Sequence, residues 1–136
     1  MGSRRKARED AVQMLYQIDL SGEDPERAVA LYAEHLAPDD EASDFAGELV
    51  RGCSAHRDEI DAKLREVSRH WRLERMARVD RNILRLATFE LLWLPDIPRR
   101  VTLNEAVELA KRFGDEDSPA FVNGVLDKIA SDLDKP

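Results

Sequence analysis

Four of the first eight residues carry a positive charge, and their types suit a contact with phosphate groups: Arg4, Arg5, Lys6 and Arg8. These eight residues carry a formal charge of +4, and since the 136-residue chain carries −7, residues 9–136 carry −11. Polyanions are bound by locally placed cations and not by net charge. A basic segment on an acidic chain therefore indicates a local polyanion contact, and the alternative is a disordered, solubilising terminus.

The basic segment leads directly into a predicted helix. Apolar residues follow it at helical spacing, namely Ala7, Ala11, Met14, Leu15 and Ile18. We therefore expect the arginines on or just before a first helix that runs from about Ser3 to Leu20. This helix should end at Ser21–Gly22, because glycine adopts the left-handed conformation that closes many helices.

The middle of the chain is predicted to be helical as well, since sustained two-residue alternation is lacking and β-branched residues are sparse. Asp24 and Pro25 fit the N-cap and first position of a short second helix, which Pro38 breaks. A long third helix is expected over about 40–70. His56 lies on its apolar seam, where a hydrogen-bonded core histidine is favoured over a ligand or a catalytic base.

The C-terminal half continues this pattern. Residues 71–76 suggest a buried connector, and residues 83–94 are apolar almost all round, which is typical of a central helix. Thr102 and Glu105 have capping-box spacing and predict the start of a helix that stops at Gly114. Ser118–Pro119 predicts the start of the last helix. Together these elements predict an all-α single domain of about seven helices, with an N-terminal helical part over about 1–70 and a C-terminal part over about 71–136.

The sequence offers little catalytic chemistry. It contains no phosphate-cradling glycine loop, no nucleophile elbow and no histidine pair at metal-ligand spacing, and its only cysteine is Cys53. We therefore expect a binding module and no enzyme, with no catalytic residue, no metal site and no cofactor. No apolar run approaches 18 residues, so no membrane association is expected and the chain is most simply cytoplasmic.

Three stretches resemble the NusB family of bacterial transcription antitermination factors: RRKAREDAVQMLYQIDL (residues 4–20), HWRLERMARVDRNILRLATFELL (residues 70–92) and VTLNEAVELAKRFGDEDSPAFVNGVLDKI (residues 101–129). The blocks NEAVELAK and FVNGVLDK, at their mutual spacing, are the most specific part. The resemblance implies an all-helical protein without enzymatic activity. It would bind the boxA element of ribosomal RNA leaders together with NusE, a small-subunit ribosomal protein, and help load an antitermination complex on RNA polymerase.

The resemblance also implies which residues make these contacts. Single-stranded RNA would be contacted by Arg4, Arg5, Arg8, Asp117, Ser118 and Phe121. NusE would be contacted by Asp80, Phe113 and Asp117. Ala120 stands where some relatives carry a basic residue, which implies a lower intrinsic RNA affinity. Relatives include both monomers and homodimers, so a homodimer stays open.

The residues at the start of the last helix support the implied RNA contact on physical grounds. Unpaired ribonucleotides are held by cations on phosphates and by planar side chains on bases, and Phe121 has the second property. Backbone N–H groups of that first turn would be open to an anion. The alternatives are core packing for Phe121 and N-capping for Asp117 or Ser118. We expect this turn and the basic N-terminus to form one continuous groove.

With about four well-placed cations, the chain alone should bind RNA modestly, with a log–log salt slope of roughly −2 to −3. An acidic body suits a basic partner. Two rival interpretations stay open. One is a helical adaptor that binds protein only. The other is the N-terminal domain of a ribosomal RNA cytosine methyltransferase, for which we expect this chain to be too short.

Overall fold

The described part of the chain forms α-helices where apolar residues recur at helical spacing. The computed structural model describes residues 2–35 and 41–136 and shows seven α-helices and one short 3₁₀ turn there, without strands. The helices are α1 (Gly2–Ser21), α2 (Pro25–His35), α3 (Glu41–Ala55), α4 (Arg57–Val67), α5 (Arg78–Trp93), α6 (Arg99–Phe113) and α7 (Ser118–Ser131), and the 3₁₀ turn is Leu73–Arg75. The predicted all-α fold is confirmed, whereas the predicted break at Pro38 lies outside the described residues.

Several predicted helix ends are confirmed. The N–H of Gly22 donates to the carbonyl of Ile18 at 2.8 Å, and Gly22 has a φ of +74°, so it closes α1 in the left-handed conformation. The carboxylate of Asp24 accepts a hydrogen bond from the N–H of Glu26 at 3.3 Å at the start of α2. α6 ends before Gly114, as expected.

The helix α5 is the centre of the molecule. It packs against α1, α3, α4, α6 and α7, and every residue from Asn82 to Leu91 is buried. The apolar side chains of all seven helices join in one hydrophobic cluster around it. This confirms the prediction of a central helix. The helix α1 contacts α3, α5 and α6, so it touches elements from both predicted parts of the chain, and the division near residue 70 stays a prediction.

The prediction of one long helix over about 40–70 is wrong. The chain breaks at His56 into α3 and α4, although the apolar seam continues across the break through the buried residues Cys53, Ile60 and Leu64. Periodicity alone could not show the break for that reason. His56 is half-buried, stacks on Trp93 with ring centroids 4.1 Å apart, and its Nδ1 lies 3.1 Å from a carboxylate oxygen of Glu59.

The predicted capping box of α6 is also wrong. The helix begins four residues earlier than this box implies, at Arg99, because the N-cap position is Pro98 and not Thr102. Thr102 and Glu105 lie inside the helix, and both side chains are used in tertiary contacts with the helices α5 and α1. Their spacing therefore reflects these contacts and not a helix start.

Two glycines differ in what surrounds them. A methyl group on Gly52 would overlap the ring of Phe89, so this glycine permits α3 to approach α5. A methyl group on Gly124 of α7 would meet no described atom within 4 Å, so the helix surface at Gly124 is open within the described part of the chain. Over residues 2–35 and 41–136, none of the helices has the length and apolar character needed to cross a membrane.

Candidate nucleic-acid interface

Arg4 presents its charge at the surface near the start of α1. Its guanidinium carbon lies 4.3 Å from the ring centroid of Phe45 in α3, a cation–π geometry. Among the described residues it has no acidic partner. Its charge is therefore available to an incoming anion.

Arg5 is held by an acidic side chain of α6. Its Nη2 and Nε donate to the two carboxylate oxygens of Glu105 at 2.8 and 3.2 Å. The hydrogen bonds from Arg5 lower the pKa of the Glu105 carboxyl below its usual range, against an opposing effect of burial, and the charges of Arg5 and Arg8 add to the lowering. The Arg5 side chain is still 53% exposed, so a phosphate can reach it only in competition with Glu105.

Arg8 lies in the core. It is 4% exposed, and its Nε and Nη2 donate to the carboxylate of Glu90 in α5 at 2.7 and 3.0 Å. Thr102 donates its hydroxyl proton to the same carboxylate at 2.9 Å. This arrangement joins α1, α5 and α6. It gives Arg8 a structural role, so an RNA contact by Arg8 stays a prediction that the burial does not favour.

A shallow hollow lies between the start of α1 and the start of α6. It is lined by Arg4, Arg5, Arg8, Ile97, Val101 and Glu105, among others. Arg100, next to Val101 in the first turn of α6, is exposed and has no acidic partner within the described chain. The sequence interpretation missed Arg100. The doublet of Arg99 and Arg100 after Pro98 was its only signal.

The carboxylate of Asp115 caps the start of α7. One carboxylate oxygen of Asp115 accepts hydrogen bonds from the N–H groups of Asp117 and Ser118 at 2.9 and 3.1 Å. The prediction of unpaired N–H groups at this turn is therefore wrong for these two positions. Capping by Asp117 or Ser118 is also wrong, since Asp117 occupies the N-cap position without a side-chain bond and Asp115 supplies the acceptor.

Phe121 is partly exposed on α7. Its ring meets that of Trp71 edge to face, with centroids 5.8 Å apart and an interplanar angle of 76°. Trp71 was predicted to be buried, but it is 62% exposed. Part of the Phe121 ring also packs on the core cluster, so the core-packing interpretation holds in part, and the RNA contact of Phe121 stays a prediction.

Asp80 in the first turn of α5 is 8% exposed, and its Oδ1 has no hydrogen-bond partner within the described chain. Burial raises the pKa of its carboxyl above the ordinary value, a hydrogen bond with Ser118 partly opposes this, and the charge of Asp115 adds to it. The neighbouring Val79 lines an apolar hollow with Tyr16 and Phe113. The residues implied for a partner therefore lie near one another, where α5 begins and α6 ends.

A buried ionic network fixes this end of α5. Asp19 at the end of α1 accepts hydrogen bonds from Arg81 and Asn82 at 2.7 and 3.0 Å, and Arg85 lies 3.4 Å away. Burial raises the pKa of Asp19, but the hydrogen bonds from Arg81 and Asn82 and the charges of Arg81 and Arg85 outweigh it and lower the pKa. The network positions the turn that carries Asp80.

The two candidate RNA contacts do not share a hollow. The hollow at Arg4 and Arg5 lies beside the start of α6, whereas Phe121 follows the end of α6 and lines a different hollow with Trp71. The eight residue steps from Glu105 to Phe113 alone span about 12 Å. The prediction of one continuous groove therefore stays a prediction, and an RNA that touches both places must cross the surface between the two hollows.

The polar groups of the described chain do not form a catalytic set. Burial raises the pKa of the Cys53 thiol to about 12, which keeps it protonated and unreactive. Within residues 2–35 and 41–136, no group of histidine, cysteine and acidic side chains is arranged to hold a metal ion.

Comparison with known proteins gives concordant matches. A family model described as the NusB family matches residues 5–131. The transcription antitermination protein NusB of Myxococcus xanthus is 52% identical, and the match covers the whole of both chains. The structure of T. maritima NusB is 40% identical with a TM-score of 0.86, over 98% of this chain and 93% of that one. A crystal structure of the antitermination factors NusB and NusE in complex with double-stranded RNA matches with 33% identity and a TM-score of 0.87, over 98% of this chain and 99% of that one.

Proposed function

The chain belongs to the NusB family, and from this premise we propose that it is a transcription antitermination factor. It binds the boxA element of ribosomal RNA leaders together with NusE and helps assemble an antitermination complex on RNA polymerase in the cytoplasm. It acts by binding and not by catalysis. The observation that carries the proposal is the full-length structural match to a NusB chain bound to NusE and RNA.

RNA phosphates are bound by Arg4 and Arg5, with the exposed Arg100 in the first turn of α6 as a third cation. Support comes from the exposed charge of Arg4 over Phe45 and from the half-exposed guanidinium of Arg5. Arg8 acts indirectly, because its bond to Glu90 fixes the segment that carries the other two. Asp117, Ser118 and Phe121 belong to the second contact at α7. There Phe121 offers a ring face to a base, and Ser118, which is 1% exposed, supports the turn.

NusE is bound at the surface of Asp80, Phe113 and Asp117. An apolar hollow at Val79 and Phe113 lies next to Oδ1 of Asp80, a buried acceptor without a hydrogen bond from the described chain. This surface suits a protein that inserts an apolar side chain and donates a hydrogen bond to Asp80. The exposed acids Glu116 and Asp117 add negative potential for a basic partner. Because the two RNA contacts are separate on this chain, a partner beside them would bring both onto one RNA path.

The first prediction concerns RNA affinity at fixed salt. The complex with NusE should bind boxA RNA more tightly than either protein alone, by a factor on the order of 100, since joined sites add their contributions. Changing Arg4 and Arg5 together to Ala should flatten the log–log salt slope by about 1.4, which is 0.7 per lost phosphate contact. Fluorescence anisotropy with labelled boxA RNA across a salt series measures both quantities.

The double variant Arg27→Ala with Arg51→Ala is the matched control, because it removes the same charge from α2 and α3. It should keep the parental slope. Equal affinity with and without NusE would contradict the proposal. Absence of any RNA binding by the complex would favour the adaptor that binds protein only.

A second prediction follows from the competition between Glu105 and phosphate. Glu105→Gln removes the carboxylate that holds Arg5, so RNA should bind about two- to fivefold more tightly, as expected for releasing an exposed ion pair. Glu108→Gln changes the charge equally one turn away, where Glu108 pairs with Lys111. An increase for both variants alike would show a general charge effect, and an increase for neither would mean that Arg5 does not contact RNA.

A further inference from the structure

The most exposed large apolar side chain of the described residues is Trp71. Trp71 lies in the connector after α4, where its backbone N–H donates to the backbone carbonyl of Ser68 at 2.9 Å. The ring of Phe121 meets the indole of Trp71 in an edge-to-face contact, and most of Trp71 faces solvent. Burial of an aromatic side chain is normally favourable, so an exposed tryptophan beside a second aromatic ring indicates a surface for a planar ligand.

The charges around Trp71 are of one sign. The hollow beside it is lined by Arg69, His70, Trp71, Phe121, Gly124 and Lys128, among others, and each ionisable residue of the lining is basic. Neither Arg69 nor His70 has an ion pair with a described residue, and Lys128 is held only by the carbonyl of Val67 at 3.4 Å. On a chain of net charge −7 this is a local positive surface, and it complements an anion.

Gly124 adds space to this surface. It lies on the exposed side of α7, and a methyl group there would meet no described atom within 4 Å. A glycine inside a helix lowers stability relative to alanine, by about 1 kcal/mol in exposed positions. Here it leaves the helix backbone open beside the two rings, so that a flat group can approach.

We propose that Trp71, with Arg69 and Lys128, forms a base-stacking subsite beside Phe121 for unpaired RNA nucleotides that lie beyond the boxA core. This inference rests on the proposed function and extends its RNA path to the connector between α4 and α5. The indole supplies the stacking face, and Arg69 and Lys128 bind the flanking phosphates. An unpaired strand is required, because a paired base cannot offer both faces to protein side chains.

The test compares two RNAs on the complex of the full chain with NusE. One is the boxA core, and the other carries four additional unpaired nucleotides at each end. The wild-type complex should bind the extended RNA more tightly than the core. Trp71→Ala should lower the affinity for the extended RNA about tenfold and leave the affinity for the core unchanged. Trp71→Phe should keep most of the additional affinity that the extended RNA has over the core.

Two further measurements separate the outcomes. Lys128→Glu should reduce the gain, and Arg27→Glu, with the same charge change on α2, should not. Trp71 fluorescence should be quenched by the extended RNA and not by the core, and the quenching should be lost in Trp71→Phe, which retains Trp93 as its only tryptophan.

Failure of the two proposals is distinguishable. If the wild-type complex binds neither RNA, the proposed function fails. If it binds both equally, or if Trp71→Ala binds the extended RNA as well as the wild type does, the stacking subsite is overturned alone. If Trp71→Ala instead weakens NusE binding, the surface is a protein contact and the inference is wrong.

Discussion

Replacing Arg8 with alanine is expected to lower the free energy of unfolding by about 3–5 kcal/mol. The reason is the carboxylate of Glu90, which is 1% exposed and would lose two hydrogen bonds and its positive partner. Thr102 alone would remain as a donor. Urea denaturation followed by circular dichroism measures the change, with an unchanged m-value showing that the unfolded state is not altered.

Arg5→Ala is the matched control, since it also removes an arginine paired to a carboxylate on another helix. Its side chain is half-exposed and its charge is screened by solvent, so the loss should be much smaller than for Arg8→Ala. The double variant Arg8→Leu with Glu90→Leu should recover most of the stability, because no unpaired charge is then buried. A loss below about 1 kcal/mol for Arg8→Ala would contradict the structural role of Arg8.

This role changes how the basic N-terminus should be tested. A variant with Arg4, Arg5 and Arg8 all changed to alanine would weaken RNA binding through loss of folding as well as through loss of charge. The change at Arg4 and Arg5 alone avoids this. It tests the phosphate contact on an intact fold.

Asp80→Asn is expected to reduce the affinity for NusE by a factor of roughly 30 or more. This factor is the lower end of the range of effects that follow the loss of a buried, hydrogen-bonded charge at an interface. The change keeps the shape of the side chain and removes its negative charge, including the charge on Oδ1, which accepts no hydrogen bond from the described chain. Lysine at this position would not be a clean test, because Asp80 is buried and the larger side chain would disturb the fold. Calorimetric titration of NusE measures the effect.

The same variant should be more stable than the wild type at neutral pH. Burial raises the pKa of Asp80 above its unfolded value, so the folded chain holds more protons in the window between the two values, and its stability falls as the pH rises through that window. The gain from asparagine is therefore complete above the folded pKa and disappears below the ordinary aspartate range. Weaker partner binding with lower stability at neutral pH would instead mean that Asp80 stabilises the fold.

The fold and most helix ends followed from local patterns. Gly22 and Pro25 mark helix ends through their own backbone preferences. At Gly114 the backbone is extended, and the glycine is needed because a methyl group there would overlap the side chain of Ser118. The break at His56 did not follow, because the buried seam runs through it and only the packing of α4 on α5 and α7 requires a change of direction. The false capping box at Thr102 and Glu105 has a similar cause, since both side chains serve distant partners.

The sequence by itself determined that the chain is helical, that it resembles the NusB family, and that positive charge is concentrated at the N-terminus. It could not determine which of those charges is free. Arg5 and Arg8 pair with residues 100 and 82 positions away, and these pairs form only when α1 packs beside α6 and α5. The tertiary structure alone therefore decided that Arg4 is free to bind an anion, that Arg5 is shared with Glu105 and that Arg8 is buried. The reason is that the strength of a charge contact depends on burial and distance, which residue types and spacing do not record.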